Sequence, residues 1–191
     1  MERGYAQQAG LGWIGKNTML IHQQYGSWLF LAALLTSEEL LYDKPTEENR
    51  CGACQACLDA CPAGALVAPY RLDARKCVSC LTVELRGAIP PDGRRACGDR
   101  VFGCDACQEV CPWNRRTVPA TEPAFQPKPG MNPVVLAELS AMDEAEFRRR
   151  FRHSPLKRAG HAGILRNVAV VAENQSHATE IALENGSELG G

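Results

Sequence analysis

All ten cysteines of this 191-residue chain fall between Cys51 and Cys111, and the 50 residues before and 80 after contain none. This crowding constrains the fold more than any other feature. A stretch punctuated by glycine and proline and poor in aliphatic side chains cannot build a large core. What the thiols bind must therefore supply much of its folding energy. Ten cysteines in 191 residues is sparser than the roughly 8–10% of a short disulfide scaffold. The N-terminus, MERGYAQQ, lacks the basic, apolar and small-residue sections of a secretion signal. The chain is thus expected to be cytoplasmic, with reduced thiols used for metal binding or catalysis rather than bridges. The longest apolar run, Trp28–Leu35, is far short of the roughly 20 residues that cross a bilayer, so no membrane partner is expected.

The cysteine spacing names the chemistry. Cys51-x2-Cys54-x2-Cys57-x3-Cys61-Pro62 is the bacterial ferredoxin run, in which three thiolates grip one iron–sulfur cubane and the fourth reaches a neighbouring one. Cys104-x2-Cys107-x3-Cys111-Pro112 repeats its last three positions, with Val101 in the slot of the missing first cysteine. A remote thiolate must take that place, and Cys77, Cys80 and Cys97 are the candidates. Two 4Fe–4S clusters follow. Cluster one would use Cys51, Cys54, Cys57 and Cys111. Cluster two would use Cys61, Cys104, Cys107 and one of the three candidates. The two cysteines left over act by default as small buried hydrophobes. Zinc sites built from paired C-x2-C motifs need neither the third cysteine nor the Cys-Pro ending.

The flanks divide the chain into zones, an α+β organisation. Residues 1–49 open with Ala9-Gly10-Leu11-Gly12-Trp13-Ile14-Gly15-Lys16-Asn17-Thr18, a glycine-rich loop able to approach a ligand closely or take positive φ. Met19-Leu20-Ile21 and Trp28–Leu35 around a Gly-Ser turn predict a hairpin, with a short buried helix as the alternative for the second run. Residues 50–114 form the cysteine module, with short helices at Gln55–Asp59 and Asp105–Val110. Residues 115–132 are a Pro-rich linker, and 133–191 are helical. There Asn132-Pro133 predicts an N-cap, and Ser140 with Asp143 a capping box for a helix through Phe151. Ser154-Pro155 starts a turn. Ile164, Leu165, Val168 and Val171 fall on one face of a helix ending near Asn174, and a separate segment, Ala178–Leu183, follows.

A net charge of −1 gives no global field, so contact with nucleic acid needs a local patch. One exists: Arg148, Arg149, Arg150, Arg152, Lys157, Arg158 and Arg166 put seven cations in 19 residues with no acid among them. That is the pattern of a phosphate-binding face. His153 and His161 fit it as phosphate or solvent contacts.

Five motifs in order carry a resemblance: AGLGWIGKNT (9–18), CGACQACLDACPAGAL (51–66), KCVSCLTVELRG (76–87), FGCDACQEVCPWN (102–114) and SPLKRAGHAGILRNVAV (154–170). The chain resembles the epoxyqueuosine reductase family, which reduces the epoxide of epoxyqueuosine at the tRNA wobble position to queuosine. The resemblance implies part of a corrinoid-binding α/β domain, a two-cluster ferredoxin-like module and C-terminal HEAT-like helices that hold tRNA. It implies two 4Fe–4S clusters fed by an external electron donor and passing electrons to cobalamin, in a monomer. It selects Cys77 as the remote ligand of cluster two. It places Trp13, Lys16, Asn17, Thr18, Ser79 and Asp105 around the corrinoid, and assigns the seven cations to tRNA.

The family's proton-donating Asp stands a few residues before a Glu-Arg or Glu-Lys pair that Glu2-Arg3 resembles, which would put it upstream of Met1. No catalytic acid is therefore expected within these residues, and the chain is read as a fragment without the family's N-terminal domain. Two other classes compete. A reductive dehalogenase-like enzyme shares the corrinoid and two clusters but has no use for basic helices. A plain two-cluster electron-transfer ferredoxin has no use for either flank.

Overall fold

The computed structural model describes residues 2–126 and 135–187. In chain order the elements are α1 (Glu2–Gln8), β1 (Trp13–Ile14), β2 (Leu20–Ile21), α2 (Ala56–Asp59), β3 (Leu66–Ala68) and β4 (Arg71–Leu72). Then follow α3 (Val78–Val83), α4 (Pro91–Cys97), α5 (Ala106–Glu109), α6 (Leu136–Ala141), α7 (Glu144–Arg150) and α8 (Gly160–Ser187). The mixture of helices and short strands agrees with the α+β expectation. The chain packs as two units, each drawn from two separate lengths: 1–73 with 105–123, and 74–104 with 124–191. The cysteine-rich length contributes to both.

In the first unit β1 and β2 pair antiparallel, Trp13 opposite Ile21 and Ile14 opposite Leu20. Glycine is required at position 12 (φ +157°): a Cβ there would stand 2.2 Å from the Ile21 carbonyl oxygen. The glycine-rich loop thus serves the hairpin itself. Trp13, Ile21 and Cys111 form a small buried core, flanked by Cys51 and Trp113. The two indoles meet edge-on at 4.8 Å, a favourable quadrupole arrangement. The short helices α2 and α5 pack on one another and begin one residue inside the positions expected from sequence.

The second arm of the expected hairpin does not form. His22 bridges to Gly26 and closes the turn, but Trp28–Leu35 has no regular structure. Leu34 and Leu35 are each 94% exposed. A strand needs a hydrogen-bonding neighbour, and among the described residues no strand lies beside this run.

In the second unit α8 packs against α3, α4, α6 and α7. Leu139, Met142, Phe147, Phe151, Ala159, Ile164 and Val168 make its core. The expected cap at Ser140 moves to Asp143, whose side chain accepts from Glu146 N–H. Ser140 lies inside α6 instead and donates back to the Ala137 carbonyl at 2.9 Å. The helix ending near Asn174 and the segment from Ala178 are one continuous helix of 28 residues. Neither Gly nor Pro stands between Asn174 and Ala178, and Asn174 binds the carbonyls of Arg94 and Gly98 rather than capping its own helix. The Asn132-Pro133 cap lies outside the described residues. No described helix is long and apolar enough to cross a membrane.

Candidate functional site

Four thiols of the first unit face one cavity, while among the described residues no three His, Cys, Asp or Glu side chains are grouped closely enough to hold a single metal ion. Cys51, Cys54, Cys57 and Cys111 line one cavity of about 260 Å³ with Lys16, Asn17, Arg50 and Trp113 among its other walls. Cys111 is 60 positions from Cys51 in sequence, yet both join the Trp13 core. None of the ten cysteines is joined in a disulfide. Burial pushes the Cys57 and Cys111 thiols up, and the neighbouring Cys51 adds to the shift in both. A set of desolvated thiols that resist ionising together is a poor arrangement on its own, and a cationic metal centre among them would reverse the penalty.

The cysteine loops are held by side chains of the glycine-rich segment. Lys16 Nζ donates to the carbonyls of Gly52 at 2.7 Å and Cys54 at 2.8 Å. Asn17, 3% exposed, donates from Nδ2 to the Cys107 carbonyl at 3.2 Å and accepts Met19 N–H on Oδ1. Sequence reading took these two residues for ligand contacts and missed that they tie the hairpin to the cysteine turns. Thr18 sits at φ 66° and receives the Arg3 guanidinium on its carbonyl and hydroxyl oxygens. Exposed Asp105 accepts from Gln108 Nε2. Trp13 is 2% exposed, and its Nε1–H is buried with no hydrogen-bond partner. It lines a second cavity, of about 430 Å³, with Gly10, Gly12, His22 and Arg50. The described residues begin at Glu2, exposed at the start of α1. Met1, and with it the proton donor expected before it, lies outside the described residues.

Of the other sulfurs, Cys61 and Cys107 belong to this unit, and Cys77, Cys80, Cys97 and Cys104 to the other. Cys61 Sγ accepts the Ala65 N–H at 3.2 Å. Cys77 is the N-cap of α3, with Ser79 in that helix. Cys97 is 1% exposed, and its thiol donates to the Gly93 carbonyl.

The seven cations of the second unit differ in what they already hold. Arg148, Arg149, Arg150 and Arg158 pair with Glu144, Glu146, Glu138 and Glu84. Arg166 donates to the carbonyls of Leu81, Leu85 and Gly87 and to Asn167 Oδ1, so its fork is bound inside the fold. Arg152 and Lys157 stay exposed and border a cleft of about 400 Å³ with Phe147, Arg148, Phe151 and His161. His161 Nε2 lies 2.7 Å from the Met142 carbonyl oxygen.

These features define an iron–sulfur class of protein: residues 50–114 match the family of 4Fe-4S double cluster binding domains. The particular likeness is to epoxyqueuosine reductases, of which this chain is a homologue. It is 51% identical to the Pseudomonas aeruginosa enzyme of that name over 89% of this chain and 47% of the relative. The Escherichia coli enzyme is 45% identical over 91% and 46%. Among solved structures, an epoxyqueuosine reductase with an epoxyqueuosine-modified tRNA-Tyr stem loop superimposes with TM-score 0.86 at 37% identity, covering 91% of this chain and 46% of that one. The Streptococcus thermophilus epoxyqueuosine reductase gives 0.77 at 28% identity, over 97% and 50%. The chain spans about half the length of the curated relatives it matches.

Proposed function

We propose that this chain is the cluster-bearing and tRNA-contacting portion of an enzyme that reduces epoxyqueuosine in tRNA to queuosine. The overall change is two electrons and two protons taken up by the epoxide, which becomes an alkene as its oxygen leaves as water. The observation that carries the reading is the convergence of Cys111 with Cys51, Cys54 and Cys57 on one cavity. Ferredoxin wiring requires this crossover, and an independent pair of zinc motifs does not. By the same wiring Cys61, Cys104 and Cys107 hold the second cluster, and the family resemblance adds Cys77 as its fourth ligand. The acid that protonates the leaving oxygen is not assigned to any of these residues.

Cobalamin fits the residues of the glycine-rich hairpin. The unpartnered Trp13 Nε1–H is a buried donor in search of an acceptor. Lys16 uses two of its three donors and Asn17 one of its two amide hydrogens, leaving each a hydrogen for a propionamide arm. Thr18 adds a hydroxyl. Ser79 and Asp105 complete the set that the family resemblance supplies. When bound, the clusters and cobalamin would supply single-electron transfer and the strongly reducing chemistry at the epoxide. The protein's part is to fix thiolates, exclude water with paired indoles, and present cations to the RNA. On the last point Arg152 and Lys157 are the foremost contacts, with the carboxylate-paired arginines behind them. The helical region that carries them is HEAT-like, in a soluble cytoplasmic monomer served by an external electron donor.

Anaerobic reconstitution with iron and sulfide tests the central claim. About eight irons and eight sulfides per chain, with brown absorption, support it, and Cys111→Ser should retain about half. A colourless product containing zinc would sink it. Titration with cob(II)alamin then separates the reductase from a plain ferredoxin, and a fluorescent tRNA anticodon stem loop separates it from a dehalogenase-like enzyme.

A further inference from the structure

Between α3 and α8 lies a buried polar relay whose two ends stand next to cysteines. Thr82 is fully buried and Asn167 is 1% exposed. Thr82 Oγ1 donates to the Val78 carbonyl at 2.8 Å and accepts the Gly103 N–H at 3.0 Å. Val78 follows Cys77, and Gly103 precedes Cys104. One hydroxyl therefore holds the residue beside each of two thiols. Asn167 secures the same two strands of chain one step further on: its Nδ2 donates to the carbonyls of Thr82 and Val101, both at 2.8 Å. Its Oδ1 accepts from Arg166 Nε and Nη2, which fixes the amide so that nitrogen faces the carbonyls. The other side of the Arg166 fork binds the carbonyls where α3 ends.

A network this deep is costly unless complete, and each of these contacts is made. A generic helix contact could have been apolar, as the neighbouring Phe102 and Val101 packing against the helical core shows. The polar groups here are spent on the chain segments that flank Cys77 and Cys104. We propose that Thr82 and Asn167 are positioning residues that set the separation of Cys77 and Cys104, so that the reduction potential of the cluster they hold is governed from α8. This rests on the reading of those two cysteines as ligands of one cluster. Cluster potentials follow the hydrogen bonds and solvent exposure around the sulfurs. Loosening the Gly103 N–H therefore alters the environment of one cluster and not the other.

The experiment is a redox titration followed by electron paramagnetic resonance on the reconstituted chain. Cys104→Ser first identifies which signal belongs to this cluster. Thr82→Val, with Thr82→Ser as its conservative partner and Asn167→Ser as a second variant, then follows. Thr82→Val and Asn167→Ser should each change the one-electron equilibrium of that signal at least about threefold, which is about 30 mV at 59 mV per tenfold. The other cluster should not move, and Thr82→Ser should titrate like the native chain. Unchanged potentials in either variant at full iron content, equal shifts in both clusters, or failure of Thr82→Ser to restore the native value would overturn the assignment. If Thr82→Val does not load iron, Asn167→Ser alone decides by the same criteria. A Cys104→Ser chain that keeps both signals would instead refute the ligand reading beneath it.

Discussion

Asn114 Oδ1 accepts the backbone N–H of Ser27 at 2.7 Å across 87 positions of sequence. The amide nitrogen of Asn114 meanwhile donates to Ser27 Oγ and the Gln108 carbonyl, and Ser27 Oγ donates to Gln108 Oε1. All three residues are buried. One asparagine therefore fastens the turn after β2 to the last cysteine run, three residues past Cys111.

Removing it should be expensive. Asn114→Ala leaves the buried Ser27 N–H without a partner, at about 1–3 kcal/mol, and takes one of two donors from the Gln108 carbonyl, which keeps the Cys111 N–H. Gly26→Ala attacks the same joint from the other side: at φ +64° its Cβ would fall 2.0 Å from Asn114 Oδ1. Each substitution should lower the unfolding free energy by about 2 kcal/mol or more, read from denaturant curves followed by tryptophan fluorescence. Losses under about 0.5 kcal/mol, the range of ordinary surface changes, would mean the joint is not structural.

Lys16 invites a test of a different kind, because its ammonium group both ties the Cys51–Cys54 turn and borders the four-thiol cavity. A cation beside a cluster favours its reduced, more negative state. Lys16→Met should lower the potential of that cluster by about 30–60 mV, a three- to tenfold change in equilibrium, and speed iron loss to a chelator. A potential that stays put or rises would show that the charge is screened from the metal.

What the sequence disclosed here follows a physical division. Thiol spacing is local and rigid, so Cys51, Cys54 and Cys57 with the short helices α2 and α5 could be read directly, and duplication of the run placed Cys111 with them. The homology to epoxyqueuosine reductases was equally legible, because five motifs stand in order. The strand expected at Trp28–Leu35 fails because an apolar run specifies burial without specifying its partner. Long-range polar ties leave even less trace. Asn17 with Cys107, Asn114 with Ser27, and Asn167 with Thr82 join positions more than 80 residues apart, and no periodicity encodes such pairs. Arg166 shows the opposite hazard: it reads as one more cation in a basic run, whereas its fork is bound to three carbonyls.

The cations therefore should not behave alike toward RNA. Arg152 and Lys157 are exposed beside the cleft, so the double change Arg152→Ala with Lys157→Ala should cut the slope of log affinity against log salt by about 1.5, near 0.7–0.9 per lost phosphate contact. Arg148→Ala frees Glu144 as well and weakens binding through an unmasked carboxylate. Arg166→Ala should act on thermal stability before it acts on RNA. Binding of a tRNA anticodon stem loop measured at several salt concentrations, beside melting curves, distinguishes the three. An unchanged slope in the double variant would remove this face from the RNA contact.

Cys97 predicts a pH effect of definite sign. Its thiol is buried, and desolvation raises it above the ordinary 9.0, with Arg166 pulling the other way and Cys104 adding to the rise. The folded chain thus keeps a proton that the unfolded chain releases. The contribution of Cys97 to stability is complete below pH 9.0 and is lost as the pH climbs from there through the folded value, at up to about 1.4 kcal/mol per pH unit for one proton. Cys97→Ala costs packing at every pH but removes this slope. In the cluster-loaded chain, where ligand thiols are tied to iron, the stability gap between native and Cys97→Ala should therefore narrow as the pH rises above 9.0. Denaturant curves across that range decide it: a constant gap would mean that Cys97 ionises alike in both states, and that the pocket around it is wetter than its 1% exposure implies.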